Sequence, residues 1–88
     1  MSFKLALSHT VEKLLDKVDR PTKERLWNRL RQIQVDPTDA QTSKTLAYPE
    51  GYRSARVGDW RIIFTVAPEE QLIQVISIDQ RGQVYRTL

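Results

Sequence analysis

The chain contains no cysteine and only one histidine, His9, among its 88 residues. The first absence excludes a disulfide framework and thiolate zinc sites, and the second removes most imidazole chemistry. The acidic side chains are scattered over predicted helices and turns, so we expect no metal site and no cofactor. We interpret His9 as a helix-start or surface residue. A sequence without thiols suits a cytoplasmic protein, because that compartment is reducing.

Long apolar runs are also missing. The N-terminal stretch "MSFKLALSHTVEKLLDK" is interrupted by charges within a few residues, and no small-residue cleavage site follows it. We therefore expect no signal peptide. No segment approaches the roughly 18 uninterrupted apolar residues of a membrane span, so we also expect no transmembrane helix.

The composition is that of an ordinary globular domain with a basic surplus. With 40% hydrophobic and 28% charged residues, the chain falls outside the disordered and low-complexity classes. Its length fits one domain over residues 1–88. A net charge of +3, from 14 basic and 11 acidic residues, favours a polyanionic partner.

The first half of the chain predicts a strand followed by two helices. Residues 3–7, "FKLAL", alternate apolar and other residues as a half-buried strand does. Ser8 or Thr10 is the predicted N-cap of the first helix, and Pro21 separates the two helices. The apolar positions recur at helical spacing. They are Val11, Leu14, Leu15 and Val18 in the first helix, and Leu26, Leu30 and Ile33 in the second.

The second half predicts a loop and then three strands. "DPTDAQTSKTLAYPEG" is rich in turn-forming residues, so we expect a long loop there. "YRSARV", "WRIIFTVA" and "LIQVISID" are dense in β-branched and aromatic residues, and short turns separate them. The predicted fold is α+β: an N-terminal strand, an antiparallel helical hairpin and a three-strand antiparallel meander (β-α-α-β-β-β). The hairpin would cover one face of a four-stranded sheet.

The alternation within the strands assigns side chains to the two faces of the sheet. The predicted helix-side face holds Ala55, Val57, Trp60, Ile62, Phe64, Val66, Ile76 and Ile78. The opposite face then holds Arg56 and Arg61 across the Gly58-Asp59 turn, together with Ser77, Asp79 and Arg81, with Tyr85 nearby.

Two interpretations of these arginines remain open. Several guanidinium groups on one uncovered face can converge on phosphate oxygens. Alternatively, they are a solvated or salt-bridged surface that uses Glu50, Asp59 and Asp79. The sequence pattern alone does not decide between an anion site and such a surface.

"GYRSARVGDWRIIFTV", followed by "VISIDQRGQVYR", resembles the RelE/ParE superfamily of small bacterial toxins. The resemblance covers the whole chain and implies a RelE-like fold, in which a helical hairpin packs on an antiparallel sheet. It also implies a toxin of a type II toxin-antitoxin system. RelE-like members are ribosome-dependent, metal-independent ribonucleases that cut mRNA in the A site, whereas ParE-like members inhibit DNA gyrase without catalysis.

The resemblance favours the RelE-like branch. Arg61 and Arg81 stand where RelE-like toxins keep two catalytic arginines, and Tyr85 stands at the tyrosine that stacks on a substrate base. Arg56 occupies the place of a lysine pair, and arginine is a poor proton acceptor because its pKa exceeds about 12. Lys44 and Arg53 are the candidate substitutes, and with Arg86 they are the expected RNA-binding residues.

The resemblance also implies partners. These are the mRNA in the A site of the 30S ribosomal subunit and a cognate RelB-like antitoxin, which would form a hetero-oligomer with the toxin. An antitoxin segment that is disordered alone can fold onto such a toxin as a helix or a strand.

Overall fold

The computed structural model describes residues 2–48 and 50–80, and it has the predicted α+β architecture. Its elements are β1 (Lys4–Leu7), α1 (His9–Lys17), α2 (Arg20–Val35), β2 (Lys44–Thr45), β3 (Arg53–Val57), β4 (Trp60–Ala67) and β5 (Leu72–Gln80). A short 3₁₀ helix, Pro68–Glu70, joins β4 to β5. None of the helices in this described part of the chain is both long and apolar enough to cross a membrane.

Each helix begins at a side-chain cap. The Ser8 hydroxyl accepts a hydrogen bond from the Val11 amide at 3.2 Å, so Ser8 rather than Thr10 is the N-cap of α1. Asp19 caps α2, where its carboxylate accepts from the Thr22 hydroxyl at 2.6 Å and from the Thr22 amide at 3.4 Å. The Thr22 hydroxyl in particular holds the pKa of Asp19 below its ordinary value of 3.8.

The sheet has five strands in the order β1-β5-β4-β3-β2. β1 runs parallel to β5, and the other neighbours are antiparallel. The four strands expected from the sequence are present, and β2 is an additional edge strand within the segment predicted as a loop. A strand of two residues shows no alternation, which is why the pattern did not predict it.

A bulge in β5 changes which of its side chains face the helices. Ile63 lies opposite Ser77 and Phe64 lies opposite Val75, so Ile76 is an extra residue between them. The prediction that Ile76 faces the helices is therefore wrong, and its side chain is 37% exposed. Beyond the bulge the alternation resumes in the opposite phase, so Ile78 is buried as predicted.

The core lies between the two helices and one face of the sheet. The helices contribute Val11, Leu15, Leu26, Leu30 and Ile33, and the strands contribute Ala55, Val57, Ile62, Phe64, Ile73, Val75 and Ile78. Trp27 and Trp60 are partly buried against this cluster. Within the described residues, the predicted helix-side face is confirmed except for Ile76. Arg56 and Arg61 lie on the opposite face.

Candidate anion-binding cleft

The hairpin of β3 and β4 sets Arg56 directly opposite Arg61. Gly58 has a φ of 59°, the sign that the first central position of a type II′ hairpin requires. The turn fixes the register of β3 against β4, so Arg56 pairs with Arg61. On the other side of β4, Asp79 of β5 pairs with Arg61. Arg56, Arg61 and Asp79 thus form one row across three strands, as the alternation predicted.

A cleft of about 450 Å³ opens over this row. Four elements each contribute one basic side chain to its lining: Arg29 from α2, Lys44 from β2, Arg56 from β3 and Arg61 from β4. The Ser54 side chain lies among them, and no carboxylate belongs to the described lining. Four cations around one cavity produce a positive potential that attracts anions.

The loop before β2 is held in a defined shape, and this positions Lys44. The Asp39 carbonyl accepts from the Thr42 and Ser43 amides at 3.0 and 3.1 Å, and the Asp39 carboxylate accepts from the Gln41 amide at 2.9 Å. Arg29 donates from Nη1 to the Thr42 carbonyl at 3.4 Å. Lys44 then pairs with Ser54, which lies beside Arg56 on the same face.

Arg53 lies on the other face of the sheet, away from the cleft. It pairs with Phe64, a core residue, and its guanidinium group bonds to Ser43. Nε donates to the Ser43 hydroxyl at 2.8 Å and Nη2 donates to the Ser43 carbonyl at 3.1 Å. The structure therefore does not bring Arg53 together with Arg56 and Arg61, because residues three positions apart in a strand point to opposite faces. Its expected RNA contact stays an untested prediction.

Arg29 is a cleft residue that the sequence pattern does not identify. Arg29 lies on α2, outside the strands on which the sequence pattern places the site, and it lines the cleft with Arg56. Arg25 and Arg29 are four positions apart, so they share one stripe of α2. That spacing was the available signal, but the sequence did not indicate which stripe borders β3.

The salt-bridged interpretation of the arginines is not supported for Arg56. Among the residues that the structure describes, no carboxylate forms an ion pair with Arg56 or Lys44. The ion pair seen on the surface joins Arg20 to Glu24 at 3.8 Å, within α2. Arg56 and Lys44 are both exposed, so their charges are available to a ligand.

Three predicted site residues, Arg81, Tyr85 and Arg86, lie outside the described residues. Within residues 2–48 and 50–80, the structure brings Arg56, Arg61 and Lys44 together and adds Arg29. Within these two described ranges, no cluster of histidine and acidic side chains could hold a metal ion.

Comparisons with known proteins agree with this architecture. A family model described as the ParE toxin of type II toxin-antitoxin system, parDE, matches residues 5–85. No curated protein sequence matches the chain significantly.

Solved structures of toxins share the fold at low sequence identity. The chain is similar to a chain of the intact Escherichia coli RelBE toxin-antitoxin complex, with a TM-score of 0.79, 17% identity and coverage of 93% of this chain and 100% of the other. The chain is also similar to a chain of the RelE-RelB complex of Pyrococcus horikoshii, with a TM-score of 0.77 and 18% identity, and the match covers 96% of this chain and 100% of the other. A YoeB/ParE toxin from Agrobacterium tumefaciens gives a TM-score of 0.76 at 19% identity, and the match covers 89% of this chain and 98% of the other.

Proposed function

The chain belongs to the ParE toxin family of type II toxin-antitoxin systems, within the RelE/ParE superfamily, and on that premise we propose that it is a ribosome-dependent endoribonuclease. It would cleave mRNA in the A site and so arrest translation. The observation that supports this proposal is the cleft in which Arg29, Lys44, Arg56 and Arg61 converge without a carboxylate in the described lining. A phosphodiester is the ligand that such a cleft suits best.

The proposed reaction is an internal displacement at phosphorus. The 2′-oxygen of a ribose forms a bond to the adjacent phosphorus, and the bond from phosphorus to the leaving 5′-oxygen breaks. The products are a 2′,3′-cyclic phosphate and a 5′-hydroxyl. The 2′-hydroxyl gives up its proton to a base, and the leaving oxygen gains one from an acid. In between, the phosphorus group carries an additional negative charge, which fixed cations stabilise.

Arg56 and Arg61 are suited to that electrostatic role. A guanidinium group offers several donors in one plane and stays charged, so two opposed arginines can hold two phosphate oxygens at once. For the same reason neither arginine can accept the 2′-proton. Lys44 is the described basic lining residue whose side chain can release its own proton, so we assign the acceptor role to its neutral amine form; in its protonated form it is the fourth cation of the cleft. Arg81 and Tyr85 remain the proposed proton donor and base-stacking residue.

The ribosome and a RelB-like antitoxin are the partners that the family resemblance implies, and weak acid-base groups in the cleft fit a requirement for the ribosome. The described lining of the cleft contains no histidine or carboxylate, so much of the rate must come from the alignment of the 2′-oxygen with phosphorus. A ribosome that holds mRNA in a fixed path supplies that alignment, so activity on free RNA should be low. The protein would work in the cytoplasm, where translation takes place, and a RelB-like antitoxin would neutralise it.

The experiment is single-turnover cleavage of mRNA on programmed ribosomes, with the cleavage ends mapped. We expect Arg61→Gln to lower the rate about 100- to 1,000-fold, the usual cost of losing one fixed donor to a developing charge. Arg56→Gln should cause a smaller loss, since exposed phosphate contacts are partly redundant. Arg20→Gln is the control, because it removes the same charge from an exposed site on α2 outside the cleft lining. Rates for Arg61→Gln within a few-fold of the parent, at unchanged stability, would refute the assignment.

A second candidate function is inhibition of DNA gyrase, which the match to a ParE toxin model favours. The order of events after induction separates the two. A ribonuclease stops incorporation of labelled amino acids first, whereas a gyrase inhibitor stops DNA synthesis first and blocks supercoiling by purified gyrase. The absence of mRNA ends together with loss of supercoiling would replace the first proposal by the second.

A further inference from the structure

A second cleft lies beside the first, at the outer edge of β3. It has a volume of about 300 Å³, and its lining includes Arg25, Asn28, Arg29, Gln32 and Arg56. These side chains are three guanidinium groups and two amides, and the described lining again contains no carboxylate. Arg29 and Arg56 line both clefts, so the two positive regions are continuous.

Two contacts from α2 give this second cleft a defined shape. The Arg25 guanidinium group lies against Gly58, where a Cβ atom would overlap it. Arg29 reaches the Thr42 carbonyl at 3.4 Å in the loop that carries Lys44. Glycine at the turn therefore permits both the positive φ and the approach of Arg25. One stripe of α2 thus aligns two arginines along the strand that carries Arg56.

The backbone of β3 adds a donor to the same edge. β2 pairs only with Arg53 and Ser54, so no strand within the described residues lies outside Arg56. The two-residue turn makes Val57 and Trp60 a hydrogen-bonded pair. Hydrogen bonding alternates along an antiparallel strand, so the Arg56 amide points away from β4 towards the open edge. An anion at this edge meets guanidinium groups together with a backbone N–H.

We propose that the second cleft is a phosphate subsite that takes another phosphate of the same single-stranded nucleic acid. This inference rests on the proposed function, because it extends the strand held over Arg61 past Arg56 and towards Arg25. Amide side chains beside the arginines suit sugar and base groups that carry both donors and acceptors. Because Arg29 and Arg56 line both clefts, a strand whose phosphate lies over Arg61 continues into the second cleft, so a nucleic-acid strand rather than an acidic peptide is the occupant we favour.

The test measures how salt weakens binding of an RNA that cannot be cleaved. A fluorescent single-stranded RNA with 2′-O-methyl riboses is titrated with the full chain at several KCl concentrations. Each neutralised phosphate of a single strand contributes about 0.7 to the slope of log K against log salt. We expect Arg25→Gln to lower the slope by about that amount, while Arg20→Gln leaves it unchanged. Both arginines are exposed on α2, so folding should be equal, and melting curves check this.

A double variant tests whether the two clefts hold different phosphates. If Arg25 and Arg61 contact separate phosphates, Arg25→Gln with Arg61→Gln lowers the slope by about 1.4, twice the single change. A decrease of about 0.7 in the double variant would mean one shared phosphate and would overturn the second subsite. An unchanged slope for Arg25→Gln would overturn it as well. So would polyglutamate that binds in place of the RNA and loses affinity in Arg25→Gln.

The same data separate this inference from the proposed function. Binding is measured on RNA that lacks the attacking hydroxyl, so the slope does not depend on catalysis. If ribosomal cleavage is absent but the Arg25 effect persists, the nuclease proposal fails and the subsite stands. If cleavage depends on Arg61 but Arg25→Gln leaves the salt slope unchanged, the nuclease proposal stands and the subsite fails.

Discussion

Replacing Arg53 by alanine should destabilise the protein without removing a charge from the cleft. The Arg53 guanidinium group donates to both the hydroxyl and the carbonyl of Ser43, and Ser43 is only 4% exposed. The Ser43 hydroxyl donates in turn to the Pro37 carbonyl at 3.2 Å. Arg53 thereby ties the loop that carries Lys44 to the sheet. Its loss leaves polar groups of the loop buried without their charged donor.

The size of the effect follows from these two bonds. A hydrogen bond to a charged group contributes about 1.5–3 kcal/mol, and Arg53 is half-buried, so we expect a total loss of about 2–3 kcal/mol. In a domain of this length, each kcal/mol lowers the melting temperature by about 4–8 °C. Arg53→Ala should therefore melt about 10–20 °C below the parent. Arg53→Lys should lose less, because one ammonium group keeps the charge but not the two-pronged contact.

Thermal unfolding followed by circular dichroism measures this directly. The matched control is Arg56→Ala, three positions along the chain and on the opposite face, which should melt within a few degrees of the parent because Arg56 is exposed. Ser43→Ala tests the pair, since its effect and that of Arg53→Ala should not add. If Arg53→Ala melts as the parent does and instead weakens RNA binding as strongly as Arg56→Ala, Arg53 is a ligand contact and the structural argument fails.

Two further predictions concern the fold. Ile78→Ala should cost about 2–5 kcal/mol, whereas Ile76→Ala, at the bulge, should cost less than about 1 kcal/mol; equal costs in denaturant unfolding would contradict the register. Asp19→Ala should lower the melting temperature at neutral pH, because the folded state lowers the pKa of this carboxyl and so gains stability from its ionised form. The difference from the parent should shrink as the pH falls below 3.8, where the unfolded chain takes up the proton first, and a constant difference would contradict the cap.

The sequence predicted the elements that repeat a pattern over several residues. Leu26, Leu30 and Ile33 mark the buried stripe of α2, and the alternation through Ile62 and Phe64 marks the core face of β4. Ile76 was misplaced because "LIQVISID" is apolar at positions of both phases. A bulge that changes the phase is determined by the neighbouring strand, here through the pairing of Phe64 with Val75.

Local pattern predicts the part of the candidate site that lies on the hairpin, whereas Lys44 was expected only from the family resemblance. Arg56 and Arg61 flank a two-residue turn, which fixes their register from local sequence. The contributions of Arg29 and Lys44 depend on how α2 and the loop before β2 pack beside β3, and no local pattern encodes that. For Arg53, by contrast, the sequence suggested a site residue where the structure shows a contact within the fold. Its charge resembles that of its neighbours, but the face it occupies and the buried Ser43 give it a structural contact.

The opposed pair of Arg56 and Arg61 is costly for the hairpin that carries it. Like charges directly across an antiparallel pair are destabilising, and Asp79 offers one carboxylate beside two cations in that row. A neutral β-branched residue at position 56 would remove the repulsion and favour the strand. A bound phosphate reverses the sign of the interaction, since both guanidinium groups then face an anion, and it stabilises the folded state in proportion to RT ln(1 + [L]/Kd). On the proposed function, an anion between these arginines would relieve this repulsion, and that is a physical reason to expect one there.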